Sequence, residues 1–203
     1  MIVSIEGIDG AGKNTLVRAL TERIQARVIS FPRYDTSIHA QLAAEALHGR
    51  MGDLTDSAYA MATLFALDRH GAHAELTAPG LLLLDRYVAS NAAYTAARLL
   101  DDAAATWVAE LEFGRLALPR PALQVLLDTP ADLAQERARR REASDASRTR
   151  DRYEADSGLQ ERTAAQYRRL AAEGWGSPWI VAAPEDDPGH VATRIVDFID
   201  NMS

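Results

Sequence analysis

The sequence predicts an α/β fold, a five-stranded parallel sheet with helices on both faces. Three observations predict it. Short apolar, β-rich runs alternate with longer segments of helical pattern, as βαβ units do. None of the short runs alternates strictly between apolar and polar residues, which is expected when helices cover both faces of a sheet. The first passage from such a run into a helical segment carries a glycine-rich loop, "GIDGAGK", from Gly7 to Lys13.

The elements follow in order. A strand over Ile2 to Ile5 leads through the glycine loop into a helix over Lys13 to Gln25. A second strand, Arg27 to Phe31, precedes helical segments over Ile38 to Leu47 and Asp56 to Leu76. The third, Leu81 to Leu84, is followed by helices over Ala89 to Leu99 and Ala103 to Leu116. The fourth, Leu123 to Asp128, is followed by helices over Ala131 to Arg141 and Tyr153 to Ala172. The fifth, Trp179 to Ala183, hands over to a helix from His190 to Ile199. No repeat or low-complexity linker interrupts the series, so one domain over residues 1–203 is expected, with an arginine-rich segment near 137–152 as its anomaly.

Composition narrows the function. A chain of 203 residues buries a proper core without disulfides or a structural metal. It has no cysteine, which excludes a disulfide framework, a thiolate nucleophile and a Cys-based zinc site. That suits a reducing cytoplasm. The start, "MIVSIEG", lacks the basic and long apolar segments of a signal, and the leucine run Leu81 to Leu84 is too short to span a bilayer, so no membrane role is expected. A net charge of −7 opposes general affinity for nucleic acid or anionic lipid. Any bound anion must be held locally.

The glycine loop is where an anion would be held. Gly7 to Lys13 fits G-x-x-x-x-G-K between a strand and a helix, the context that makes a phosphate loop credible. Gly7, Gly10, Ala11 and Gly12 let successive N–H groups turn inward, the helix N-terminus adds favourable dipole charge, and Lys13 reaches the outer phosphates. Lys13 is the only lysine; every other side-chain cation apart from histidine is arginine. Asn14 stands where Ser or Thr normally follows the lysine, with Thr15 next, which leaves Asp9 and Asp85 as alternative oxygens for magnesium.

Phosphate loops serve switches, motors and kinases, so the rest of the chain decides. A GTPase reads guanine with N-K-x-D, which a chain with its single lysine in the loop does not have. Motors commonly end the second acidic strand in a carboxylate pair, whereas "LLLLDRY" puts Arg86 after Asp85. An arginine there suits clamping a second phosphate, which favours phosphoryl transfer to an organic phosphate. Seven arginines lie between Arg137 and Arg152. Beside a phosphate loop, such a run suits a lid that brings guanidinium groups to the transferring phosphoryl.

The motifs "EGIDGAGKNT", "FPRY", "MATLFALDR", "LLLLDRYVASNAAYT" and "RTRDRYE" together resemble the bacterial thymidylate kinases, most nearly the actinobacterial type, over almost the whole chain. The resemblance implies a phosphate-loop nucleoside monophosphate kinase fold, transfer from ATP to thymidine monophosphate (dTMP) with magnesium, and a homodimer. By motif, Phe65 would stack on thymine, Arg69 would hydrogen-bond the base edge, Asn91 would complete recognition of the base, and Tyr94 would crowd the sugar 2′ position. Arg86 would clamp the acceptor phosphate, with Phe31, Arg33 and Tyr34 on the same side. Asp9 would sit near the sugar 3′-hydroxyl and the metal; Asp151, Tyr153 and Glu154 would close the far end, with Glu154 a magnesium contact. Some family members carry the catalytic arginine in the loop, at the position of Gly10. Here the lid must supply it, with Arg137, Arg141 and Arg148 as candidates. A related kinase with another acceptor, or an ATP-dependent nucleic-acid-binding protein, are the alternatives.

Overall fold

Five strands pair side by side, all parallel: β1 (Ile2–Glu6), β2 (Arg27–Ser30), β3 (Leu82–Asp85), β4 (Leu123–Leu127) and β5 (Trp179–Ala182), in the order β2-β3-β1-β4-β5. The computed structural model describes residues 1–144 and 152–202. Around the sheet lie α1 (Lys13–Thr21), α2 (Ile38–Leu47), α3 (Ala58–His70), α4 (His73–Thr77), α5 (Val88–Leu99), α6 (Ala103–Ala109), α7 (Ala131–Ser144), α8 (Arg152–Ala155), α9 (Ser157–Ala172) and α10 (Pro188–Met202).

The period of two along a strand sorts the core into two layers. In β1, Val3 and Ile5 join Leu16 and Leu20 of α1 and Val191, Ile195 and Ile199 of α10. Ile2 faces the opposite layer, with Val88, Ala89 and Ala92 of α5 and Tyr167 and Leu170 of α9. Leu82 and Leu84 of β3 go with Ile2, and Leu83 goes with Val3. Both faces of the central strands are therefore apolar, and each buried leucine or isoleucine contributes about 1.5–3 kcal/mol by leaving water. Glu6 has the parity of Ile2, so the alternation carries a carboxylate into the α5/α9 layer, where it is fully buried.

Three expected helices are divided, each for a local reason. The segment expected from Asp56 to Leu76 is a 3₁₀ turn at Leu54–Asp56, then α3, then α4. Ser57 is extended, and its hydroxyl caps α3 by accepting from the Ala60 N–H at 3.1 Å. Gly71 ends α3 where a Cβ would lie 2.9 Å from Nη2 of Arg33. The helix expected from Tyr153 is cut at Asp156, whose carboxylate caps α9 through the Leu159 N–H at 2.9 Å. The helix expected over Ala103 to Leu116 leaves the α form after Ala109 and continues as a π-helical turn, Glu110–Arg115, in which Glu112 is fully buried.

The strand order places the site. The chain leaves β1 toward β2 on one side, and β4 lies on the other, so a crevice opens beyond the C-terminal end of β1. The first turn of α7 closes its floor. The Thr129 hydroxyl donates to the Ala11 carbonyl at 3.2 Å, and a Cβ on Gly10 (φ 88°) would lie 2.1 Å from the Ala134 carbonyl oxygen. Replacing Gly10 by Ala should therefore lower unfolding stability by more than the ~1–2 kcal/mol of a left-handed backbone alone. A urea midpoint equal to that of the parent chain would contradict this packing.

Candidate active site

The phosphate loop runs from the end of β1 to the start of α1. Gly12 (φ 101°) is the left-handed residue before α1, and no side chain caps the helix; the Thr15 N–H turns back to the Gly12 carbonyl at 3.0 Å, which leaves the N–H groups of Lys13 and Asn14 to meet an anion. Lys13 is almost wholly buried, and its Nζ donates to the carbonyls of Gly7 at 3.2 Å and Ile8 at 3.0 Å. Burial lowers its pKa to about 8, with Arg86 adding to the effect and Asp9, Asp85 and Glu6 opposing it. Asn14 and Thr15 are exposed on the first turn of α1.

Arg86, opposite the loop, and the loop residue Asp9 form the central ion pair, Nη2 to Oδ1 at 2.5 Å. Arg86 follows β3 in a left-handed conformation (φ 67°), held by its backbone N–H to the Ile5 carbonyl at 2.9 Å. Its Nη1 reaches Ser90 Oγ at 3.3 Å and the Tyr167 hydroxyl at 3.4 Å. The Tyr94 hydroxyl donates to the second Asp9 oxygen at 3.0 Å. Burial alone would raise the Asp9 carboxyl, but Arg86, Lys13 and Tyr94 hold it down at about 2. Burial and the neighbouring Asp9 charge push the Tyr94 hydroxyl well above the usual range, so it is a donor at neutral pH. Beneath this pair lies Glu6, which accepts from the Tyr87 N–H at 2.9 Å and Ser90 Oγ at 2.7 Å; burial raises its pKa.

A cavity of about 1020 Å³ joins the two halves, at the top of the range for small-molecule sites and large enough for a donor beside an acceptor. It takes in Asp9, Gly10, Ala11, Gly12, Lys13, Asn14 and Thr15 on one side. Phe31, Tyr34, Phe65, Arg69, Arg86, Asn91, Tyr94 and Tyr153 line the other, and Arg137 is also at its wall. Arg137 Nη1 lies 4.0 Å from where a Gly12 Cβ would be, so the arginine rests over the loop. Tyr153 stacks on Tyr94 with ring centroids 6.1 Å apart, and Arg98 donates to its hydroxyl.

Two expected residues are elsewhere. Gly7 is set back from the cavity surface and contributes its carbonyl to Lys13. Arg33 does not line the cavity either: Asp68 takes its Nε at 3.0 Å, its backbone N–H at 3.0 Å and, through the Asp68 carbonyl, Nη2 at 2.6 Å. Asp68 is buried one residue before Arg69, so pairing it with Arg33 is what holds the "FPRY" loop against α3. Arg148 and Asp151, and the side chains of Arg141 and Glu154, lie outside the described residues.

The base-side residues are also held more tightly than their motifs indicate. Arg69 makes a buried two-point pair with Glu112, Nε to Oε2 at 2.5 Å and Nη2 to Oε1 at 2.7 Å. Burial disfavours its charge, but Glu112 more than compensates and raises its pKa. Asn91 Nδ2 donates to Glu112 Oε1 at 2.8 Å and to the Ala62 carbonyl at 2.9 Å. Glu6, Glu112, Ser90 and Tyr167 carry no role in the sequence reading. A glutamate ending an apolar strand was a visible signal for Glu6. Glu112 had none, because its burial depends on a π turn.

A family profile described as thymidylate kinase matches residues 5–185. The thymidylate kinase of Mycobacterium tuberculosis is 53% identical over 210 aligned positions, which cover 96% of this chain and 97% of that protein. A probable thymidylate kinase of Thermococcus onnurineus is 32% identical over 184 positions, 84% of each chain. Among solved structures, thymidylate kinase of Candida albicans matches with a TM-score of 0.71 at 20% identity, over 98% of this chain and 91% of that one. Deoxyadenosine kinase of M. mycoides matches at 0.70 and 15% identity, over 99% and 100%; at such identities the likeness is one of fold. With a profile matched over most of its length and a relative above half identity across nearly all of it, this chain belongs to the thymidylate kinase family.

Proposed function

We infer that this chain transfers the γ-phosphoryl group of ATP to dTMP, giving dTDP and ADP. One observation carries the reading beyond family membership. A single cavity has a phosphate loop with a buried ammonium on one side, and on the other a guanidinium beside a wall of Phe65, Arg69 and Asn91. A phosphate and a pyrimidine would be met together there.

In this reading the donor phosphates lie on the N–H groups of Gly10, Gly12, Lys13 and Asn14, since those of Ala11 and Thr15 are taken within the loop, and Lys13 leaves the loop carbonyls for them. Arg86 receives the acceptor phosphate. Its long contacts to Ser90 and Tyr167, 3.3 and 3.4 Å, are the ones a dianion replaces, while Asp9 keeps the guanidinium aimed. Phe65 stacks on the base, Arg69 and Asn91 bond its edge, and Tyr94 and Tyr153 enclose the sugar. Phosphoryl transfer then needs little covalent chemistry from the protein, which positions two anions in line and spreads the charge on the moving group. Arg137, Arg141 and Arg148, within a lid at 137–152, supply guanidinium charge to that group.

Magnesium fits the donor set. Asp85 lines the cavity and has a buried Oδ1 without a hydrogen-bond partner among the described residues, and Asp9 lines the same cavity as the second carboxylate. Among the described residues no group of three or more potential ligand side chains forms. Magnesium needs none, since it takes one or two carboxylates with phosphate and water oxygens. Bound there, the ion would neutralise phosphate charge. Glu154 remains a further proposed contact. Among the described residues no helix is long and apolar enough to cross a membrane. A cytoplasmic homodimer is the proposed form, and sedimentation of the purified chain checks the dimer.

ADP release measured across dTMP, dUMP, dCMP, AMP and thymidine should be fastest with dTMP; preference for another acceptor would replace the reading by that of a related kinase. Lys13→Ala should abolish turnover with the fold intact by circular dichroism, and near-normal turnover would remove the phosphate-loop assignment. Of Arg137→Ala, Arg141→Ala and Arg148→Ala, at least one should lower kcat by about 10³ with little change in the KM for dTMP. If all three keep kcat, the lid assignment is wrong. The lowered Lys13 pKa also fixes a pH dependence. Bound phosphates favour the ammonium and raise its pKa, so ATP binding takes up a proton above pH 8, and affinity falls as pH rises through about 8. Calorimetry in buffers of different ionisation enthalpy at pH 9 measures that proton directly.

A further inference from the structure

Glu112 lies outside every motif that carries the family likeness, yet it holds both residues assigned to the base edge. Its Oε1 accepts from Arg69 Nη2 at 2.7 Å and from Asn91 Nδ2 at 2.8 Å, and its Oε2 accepts from Arg69 Nε at 2.5 Å. Asn91 Nδ2 also donates to the Ala62 carbonyl at 2.9 Å. These two acceptors decide the orientation of the Asn91 amide, since only its NH2 end can satisfy both. Its carbonyl Oδ1 is then turned away, with one long contact of 3.5 Å from Thr95 Oγ1. Arg69 is committed in the same way. Nε and Nη2 are on Glu112, and Nη1 has no hydrogen-bond partner among the described residues.

Arg69 and Asn91 both line the cavity. The wall therefore offers a base one donor, Arg69 Nη1, and one acceptor, Asn91 Oδ1. A 4-oxo pyrimidine has the complementary edge, a carbonyl at C4 and a proton on N3. A 4-amino pyrimidine has the reverse, an NH2 at C4 and a bare N3, so both contacts become mismatched. Sites that leave buried polar groups unpaired reject an analogue far more strongly than sites that only lose a methyl contact.

We propose that Glu112 is a positioning residue that sets pyrimidine choice, by holding Arg69 and Asn91 in the donor–acceptor order that accepts a 4-oxo base and rejects a 4-amino one. The π-helical turn at Glu110–Arg115 is what brings it there. This rests on the reading of dTMP as acceptor. In Glu112→Gln one carboxylate oxygen becomes an NH2 group. Whichever way that NH2 turns, it meets an Arg69 N–H donor to donor, so Arg69 loses its two-point hold and the donor it shows to the base is displaced, while the Ala62 carbonyl still holds the Asn91 NH2.

The test is kcat/KM for dTMP, dUMP and dCMP in the parent enzyme, E112Q and E112D. A ratio between two acceptors does not depend on the fraction of enzyme that is folded, so a merely structural role for Glu112 would leave it unmoved. The dTMP to dCMP ratio should fall at least about tenfold in E112Q. The dTMP to dUMP ratio should hold, because these bases share the same edge. E112D keeps two acceptor oxygens drawn back by one methylene, and its dTMP to dCMP ratio should fall by a smaller factor, about threefold. Where turnover is too slow, the difference in melting temperature produced by dTMP and dCMP reads the same preference. A dTMP to dCMP preference equal to the parent's in a folded variant overturns the proposal. A parent enzyme inactive on dTMP overturns the functional reading on which it stands.

Discussion

A buried carboxylate under a half-buried guanidinium is the constraint on which the site depends. Glu6 sits at the end of the central strand with no exposure to solvent, and Arg86 lies above it on the neighbouring strand's exit. Desolvating either charge alone would cost several kcal/mol, so each must be compensated from more than one side. Glu6 receives the Tyr87 N–H and the Ser90 hydroxyl. Arg86 donates to Asp9, Ser90 and Tyr167. Ser90 and Tyr167 touch both charges, so α5, α9 and the phosphate loop are indexed to one polar cluster rather than to apolar contact alone. Such clusters are specific because half-satisfied versions are costly.

The arrangement also explains the protonation states. Lys13 and Arg86 lie close enough for each cation to oppose the other, and the carboxylates of Asp9, Asp85 and Glu6 balance them. The cations at the cavity are thus held against carboxylates of the protein rather than against solvent ions. Incoming phosphate takes over a role the carboxylates and loop carbonyls fill only in part. Electrostatic preorganisation of this kind acts without rearrangement at the moment of transfer.

Much of this was legible in the sequence, and the reasons differ by element. The three central strands were visible because a two-sided parallel strand is a short apolar run with a helix after it, and the edge strands β2 and β5, though more exposed, because each is also a short run standing apart from the next. The phosphate loop was visible because its chemistry is local in sequence. The breaks at Ser57 and Asp156 were less so, although each is a side-chain cap of ordinary type, because a continuous helical pattern runs across them. Arg33 shows a different limit. A motif places it near the acceptor, while the structure gives its side chain to Asp68, and only the packing of α3 reveals that partner. Glu112 shows the same limit at greater distance. Its partner Arg69 is 43 residues away, and its own helix must widen for the two to meet.

The contact between Gly10 and α7 bears on how accurately a cation can be delivered to the loop. With the Ala134 carbonyl occupying the place of a Cβ on residue 10, and Thr129 tied to Ala11, the first turn of α7 is a fixed post on the loop itself. Arg137 stands three residues beyond it, roughly 4.5 Å along a helix axis. Its distance from the loop is therefore measured off by helical register from a point already touching that loop. The spacing between residues 134 and 137 thus decides where the Arg137 side chain starts out over the loop.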